Sequence, residues 1–430
     1  MSDGPNRNGF WRAGIVIWVV MLILTGTYLR GREIYSTDTD WFVFLRLGVF
    51  GGGVVLTAAA FRERFTGGAA TRILAVYLAT LLASFLATTS HRIVLGYLLL
   101  TIGGVGVTAC LVQRCRSRED FLTLERVWLV VMLLILLKDV LLFMSVSEEA
   151  EGIEAQRLGR DISSPALMGL YAALAFWLAS SRDVVRRWFV RWPSMVFLLY
   201  VVVASRTRVI ISSFLAAAGI RFWLSCRNAV VKWLLVPSAF AIAVSVTVVS
   251  LGSDSDSTSG VAAWFNREQD AESLKTLSGR LDIWNSAVTM VGKDMRTLVF
   301  GYGYGATRYY LNWQDGSPEF YASHCHNAFV EHLFSTGILG AVAFMVIILV
   351  SFRWLTRFQE NAEAYSEGLA LRAVGVIVTL VLSCLTEVPL GGRINPAALL
   401  FFFYLLALDH APASEEIPAL SDEVLDEVPV

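Results

Sequence analysis

Charge is scarce in this sequence. Only 17% of its 430 residues are Asp, Glu, Lys or Arg, against 56% that are hydrophobic. A water-soluble domain cannot hide that much apolar surface, so a soluble globular protein is excluded. Net charge is also small, at −1, and a nucleic-acid partner would need a basic surface that this balance does not supply. Cysteine is sparse. Cys110, Cys115, Cys226, Cys325 and Cys384 lie mostly in or beside apolar runs, and their spacing suits neither a zinc site nor a disulfide framework. No internal repeat stands out. No small-residue cleavage signature follows the first apolar block, Gly14 to Tyr28, which therefore reads as an uncleaved span.

What the chain has in quantity is apolar blocks of about 17 to 25 residues, the length that crosses roughly 30 Å of hydrocarbon as a helix. In lipid each backbone polar group must be satisfied within its own segment, so such blocks are helices. The blocks predict twelve spans, near 11–29, 41–61, 71–89, 92–112, 124–144, 164–181, 192–205, 208–225, 230–250, 327–352, 368–387 and 394–408. The expected fold is an all-α polytopic membrane protein in which residues 1–408 form one integral domain. Residues 409–430, acidic and with three prolines, read as a disordered tail. The short segments on the N-terminal side of the membrane carry more than twice the Lys and Arg of the short segments on the other. That bias puts both termini in the cytoplasm and the long connection, residues 251–326, on the opposite face, the periplasm of a Gram-negative cell.

The long connection and the helix it enters hold three of the five histidines. Leu251 to Gly260 is a Ser/Asp/Gly lead-in. Leu281, Trp284, Ala287 and Val288 then recur at helical spacing, which predicts a short amphipathic helix on the membrane surface. Arg280 opens that helix, and Trp284, one turn on, anchors it at the interface beside lipid headgroups. Arg206 and Arg208 lie in a tight turn between the seventh and eighth spans. A snorkelling role competes there with recognition of an anion, for which the planar guanidinium fork is suited. His326 stands at the mouth of the tenth span, where an imidazole can cap a helix or take a proton from a hydroxyl; the helix dipole keeps it neutral. His324 is its rival, and His332 reads as structural.

Other features carry less. Asp254-Ser255-Asp256 imitates a metal-binding motif but lies in a linker. Gly301-x-Gly-x-Gly305 imitates a dinucleotide loop without any βαβ context, and reads as a flexible turn. Lys138 and Asp139, charged inside a span, are either functional or a buried helix-to-helix contact. Arg46, near the end of the second span, is a candidate for lining a cavity.

Taken together, the motifs resemble the O-antigen ligase and polymerase superfamily, most sharply over about 195–345. His326-Asn327, nine residues, Gly337, two residues and Gly340 resemble the ligase histidine motif. Ser205-Arg206 resembles the family's Ser-Arg pair, and Arg280 with Trp284 its Arg-x3-Trp. Arg157 to Pro165 is more weakly similar to the segment before the sixth span. The resemblance implies a glycosyltransferase-C-like membrane enzyme of the cytoplasmic (inner) membrane. Its donor would be an undecaprenyl-diphosphate-linked glycan, and its acceptor lipid A-core or a growing polysaccharide. Transfer would invert the sugar carbon and need no metal or cofactor. It implies His326, Arg280 and Arg206 as catalytic residues. Arg208, Arg157, Arg46, Asn327, His324 and Trp284 would contact substrate. Transfer to a protein, or secondary transport, are the other readings of such a chain. The topology can be checked directly. A cysteine at Ser257 should react with an impermeant thiol reagent on intact cells whose outer barrier has been opened. Labelling that appears only after lysis would reverse the orientation.

Overall fold

The computed structural model describes residues 6–26, 41–61, 68–146, 164–225, 280–311, 324–360 and 367–410. Among the described residues the regular structure is helical throughout, with no strand. Eight helices precede the long connection. They are α1 (Asn6–Gly26), α2 (Trp41–Phe61), α3 (Ala69–Ala83), α4 (His91–Arg114), α5 (Arg118–Val146), α6 (Pro165–Ala179), α7 (Trp188–Ala204) and α8 (Arg208–Ser225). Three short ones follow: α9 (Arg280–Val291), α10 (Met295–Phe300) and α11 (Thr307–Tyr310). The chain closes with α12 (Ala328–Glu360), α13 (Glu367–Ser383) and α14 (Pro396–His410).

Seven described helices are long and apolar enough to cross a membrane, and four more, α6, α7, α13 and α14, are apolar but shorter. Eleven of the twelve expected spans thus fall on helices, although length and composition qualify only seven. The ninth expected span, Arg157 and residues 251–279 lie outside the described residues. Two of the shorter helices, α6 and α14, are interior. In α14 every residue from Ala397 to Leu408 is buried, and in α6 nearly all are, which fits their apolar character on all sides. The longer helices surround them and turn residues such as Val55, Leu134 and Leu349 outward. The last turn of α14 also reaches beyond the expected tail boundary. Asp409, assigned to the tail from the sequence, accepts from the Ala70 and Thr71 N–H groups at 3.0 and 3.3 Å and so caps α3.

Two polar anchors fix the direction of the bundle. At one end Arg372 of α13 pairs with Glu125 of α5 at 2.8 Å, both essentially excluded from solvent. The same guanidinium donates to Ser181 Oγ at 2.9 Å, and the Tyr404 hydroxyl donates to Glu125. Arg221, late in α8, reaches Ser180 Oγ at 3.3 Å. The start of α13 and the end of α8 therefore meet at one turn, Ser180–Asp183, so these two packed helices run antiparallel. Their other ends, Arg208 and Ser383, lie together at the opposite end. Lys138 and Asp139 pair with each other at 2.8 Å.

At that opposite end α12 is broken. Gly337 has φ +66, non-helical, and separates residues 328–336 from the remainder of the helix. The break exposes carbonyls, which the chain after α10 satisfies: the Tyr302 and Gly303 N–H groups donate to Phe334 O and Ser335 O at 2.9 Å each. Backbone meets backbone here. A Cβ on Gly337 would lie 2.3 Å from Val299 O, and one on Gly301, also at positive φ, 2.5 Å from the Thr336 nitrogen. The glycine-rich turn is therefore a fitted joint, not the flexible turn expected from sequence. α9 and α10 pack on the first segment of α12 around Ile283, Ala287, Met290, Val291, Cys325 and Phe334. The predicted surface helix is thus present, but Leu281 and Val288 of its expected apolar stripe are exposed. We expect Gly337→Ala to lose about 2 kcal/mol or more of stability, from a strained φ and a forced backbone shift. Gly48→Ala, inside α2 and with a Cβ that would meet nothing within 4 Å, should cost nothing and gain up to about 1 kcal/mol. Thermal unfolding of the two variants in detergent compares them.

Candidate active site

The short strap His324–Asn327 enters the first segment of α12 and is held from three directions. Asn327 caps the helix: its Oδ1 accepts from the Phe329 and Val330 N–H groups at 2.9 and 3.1 Å. Its Nδ2 donates to Leu385 O at 2.9 Å, and the Ala328 N–H to Cys384 O at 2.9 Å, which tie the strap to the end of α13. From α9 the Trp284 indole N–H donates to Cys325 O at 2.8 Å. From beneath, buried Glu331 accepts from the Cys325 N–H at 2.9 Å on one oxygen and from the Thr307 hydroxyl at 2.5 Å on the other. The polar atoms of Asn327 and Trp284, expected to contact substrate, are thus committed to holding the strap.

The strap presents His326. Its backbone has φ +49, and its N–H donates to His324 Nδ1 at 3.2 Å. The two imidazoles lie edge to face, 4.1 Å between centroids. Opposite them is Glu387, just past α13. One carboxylate oxygen pairs with Arg280 Nη2 at 3.2 Å, and the other lies 3.8 Å from His326 Nδ1, beyond hydrogen-bond reach. That Nδ1 is buried and otherwise without a hydrogen-bond partner. Burial pushes the Glu387 carboxyl up, but His326, Arg280 and His324 around it outweigh this and hold it below the usual carboxylate range. Burial, aided by His326 and Arg280, lowers the His324 imidazole to about 4, so it is neutral near pH 7. Burial and Glu331 push the Cys325 thiol well up, which removes it as a thiolate nucleophile.

Arg206 lies in the turn between α7 and α8, at the end where α13 delivers Glu387. It is half-buried and has φ +48, and the Ser205 before it is fully buried with its hydroxyl donating to Val202 O at 2.8 Å. Among the described residues, Arg206 and His326 are the two non-glycines at positive φ. Such backbone costs about 1 to 3 kcal/mol and persists where the surroundings impose it, a pattern concentrated at functional sites. Arg208 is the first residue of α8. Arg46 shares this end at its periphery: its Nε donates to Leu24 O at 2.8 Å and its guanidinium lies over the Phe42 ring at 4.4 Å, so it caps α1. His332 is structural as expected, bonded to the Tyr77 hydroxyl and Ala328 O and stacked on Phe344.

Residues 193–345 match the family model described as O-Antigen ligase. No curated protein matches the chain. The matched segment runs from α7 into the second part of α12 and contains Arg206, Arg280, His324 and His326; Glu387 lies outside it. The match is consistent with the superfamily that the sequence motifs resemble. It supports glycan transfer of the O-antigen ligase and polymerase type, on lipid-linked polysaccharide substrates, by a multi-pass membrane protein.

Sequence reasoning missed two carboxylates. Glu331 sits one helical turn after Asn327, a spacing that puts it under its own strap. Glu387 is 107 positions from Arg280 and only the antiparallel packing of α13 brings it in. His324, His326 and Glu387 also have ligand atoms within 4.8 Å of one another, close enough to hold a metal ion, with the Arg280 guanidinium already on one carboxylate oxygen. The strap makes its own prediction. Glu331→Leu leaves a buried N–H and a buried hydroxyl without acceptors, at about 1 to 3 kcal/mol each, and should lower the melting temperature and speed amide exchange at Cys325. Glu331→Gln keeps one acceptor and should lie between that variant and the parent chain.

Proposed function

We propose that this protein transfers a glycan from an undecaprenyl-diphosphate carrier to an acceptor hydroxyl at the outer face of the cytoplasmic membrane, with lipid A-core as acceptor. The observation that carries the reading is the cluster of Arg280, Glu387 and His326. Its histidine and the arginine across the same end, Arg206, are the two strained non-glycine residues described.

The chemistry asks little else. Diphosphate is a good leaving group, so no general acid is needed. The acceptor oxygen attacks the sugar carbon from the face opposite the diphosphate, the carbon–oxygen bond to phosphate breaks with inversion, and the hydroxyl proton passes to His326. Arg206 and Arg280 stabilise the charge that collects on the diphosphate, in a site poor in water. Glu387 supports both halves. In the resting chain it neutralises Arg280, and it faces His326 where the imidazolium will form. Its 3.8 Å separation from Nδ1 can shorten in the complex, as apo contacts of this kind commonly do. Neutral His324 accepts the His326 N–H and helps hold the strained strap. A polymerase would use the same groups with a second lipid-linked repeat as acceptor.

His326→Ala should insert normally and lose about 10²- to 10⁴-fold in transfer rate, measured as release of carrier diphosphate from lipid-linked glycan. His326→Gln keeps a hydrogen-bonding group but no base, and a near-normal rate for it would make His326 a positioning residue. Arg280→Lys should lose most activity because the planar fork is lost. Arg208→Lys should lose less, because Arg208 opens α8 and stands outside the strained turn that presents Arg206. Deleting the gene separates ligase from polymerase: uncapped core with stored polymer for the first, single-repeat capping for the second.

A further inference from the structure

Two cavities beside the start of α7 lie away from the strap, and the transfer reaction uses neither. One, about 330 Å³, opens beside the α6–α7 turn, with Arg126, Arg186, Arg187 and Glu119 in its wall. The other, about 820 Å³, is an open apolar slot down the face of α7, lined among others by Trp188, Phe189, Trp192, Phe197 and Tyr200. The first turn of α7 carries both: Arg187 and Val190 line the polar cavity, Trp188 and Phe189 the slot.

The local carboxylates are already engaged. Glu119 pairs with Arg126 at 3.1 Å and Arg186 at 2.8 Å. Asp183 pairs with Arg118 at 2.7 Å and lies 3.5 Å from Arg372. Arg182, Arg187 and Arg191 have no ion-pair partner among the described residues, and Arg187 sits 5.9 Å above the Phe189 ring. The position therefore combines surplus positive charge at the membrane surface with an aromatic-walled slot leading from it along an apolar helix. Trp188 is 70% exposed and Trp192 55%, although both are large apolar side chains that a solvent-facing surface would disfavour.

We infer that this groove binds one anionic phospholipid of the adjoining leaflet, its headgroup phosphate on Arg187 and Arg191 and an acyl chain in the slot between Trp188 and Tyr200. The slot has the volume of an ordinary ligand pocket, about 300 to 1,000 Å³. Its occupant must be apolar along its length, because the walls offer almost nothing polar. The head must be anionic, because a zwitterionic one brings its own cation to a place where three guanidiniums already lack partners. The inference does not depend on the transfer reaction and survives if that reading fails.

The test uses the full chain in nanodiscs of phosphatidylcholine doped with dibrominated phosphatidylglycerol or, separately, dibrominated phosphatidylcholine. Bromine quenches tryptophan on contact. The anionic lipid should reach half-maximal quenching at a mole fraction about fivefold or more below the zwitterionic one, since each basic residue at the surface contributes about that factor. The preference should vanish in Arg187→Gln/Arg191→Gln and persist in Arg187→Lys/Arg191→Lys. The quenching itself should shrink in Trp188→Phe/Trp192→Phe, which places the lipid in the slot. Millimolar glycerol phosphate should not displace it. Equal quenching by both lipids, a preference that survives the Gln pair, or displacement by the soluble phosphate would each overturn the proposal. The last would mark a phosphate site without a lipid chain.

Discussion

A single carboxylate ties the site end of the molecule together. Glu387 stands between a guanidinium and an imidazole that lie 46 residues apart in the chain, and the half-buried guanidinium would be unfavourable there without it. A guanidinium held in so poorly hydrated a place needs a counter-charge, and Glu387 supplies it at 3.2 Å while its second oxygen faces the imidazole. Everything around it serves to fix the geometry: α13 carries it in, the strap presents His326, and α9 aligns Arg280.

The strap itself is an example of hydrogen-bond accounting at a helix start. Asn327 and Glu331 satisfy the free N–H groups, and the carbonyls of Cys384 and Leu385 receive the donors left over. With those positions fixed, His326 is left with the backbone that no relaxed chain would choose. The strain is small beside the sum of the bonds that impose it, and this is how a marginally favourable fold can keep an unfavourable residue conformation.

Much of the fold was legible in the sequence because hydropathy over twenty residues is a strong signal in lipid. Eleven expected spans coincide with helices for that reason. What was illegible is whatever depends on contact between distant segments. The buried face of α9 could not be separated from its lipid-facing one, because Ile283 and Leu281 are equally apolar and only the position of α12 distinguishes them. Glu387 looked like the polar end of a span, and its partners lie far away in the chain. Arg206, Arg280 and His326 stood out as candidates because short motifs mark them. The structural bonds of Asn327 and Trp284 were not readable, since a capping amide and an indole donor look the same in sequence as ligands for a sugar. The bond by which Arg46 closes α1 was hidden likewise: a guanidinium closing a helix end resembles one waiting for an anion.

The joint between Gly301 and Gly337 has a consequence for how this architecture can vary. Two backbones touch there with no side chain between them, and the hydrogen bonds from Tyr302 and Gly303 register one against the other. Residues 280–311 and the opening of α12 are therefore interlocked parts, cut to each other's shape. A chimera that exchanges the surface helices with a related chain but keeps its own α12 would join mismatched surfaces. The unit that can be transplanted runs unbroken from Arg280 through Gly340, and inheritance should respect the same boundary, with changes on one side of the joint accompanied by changes on the other.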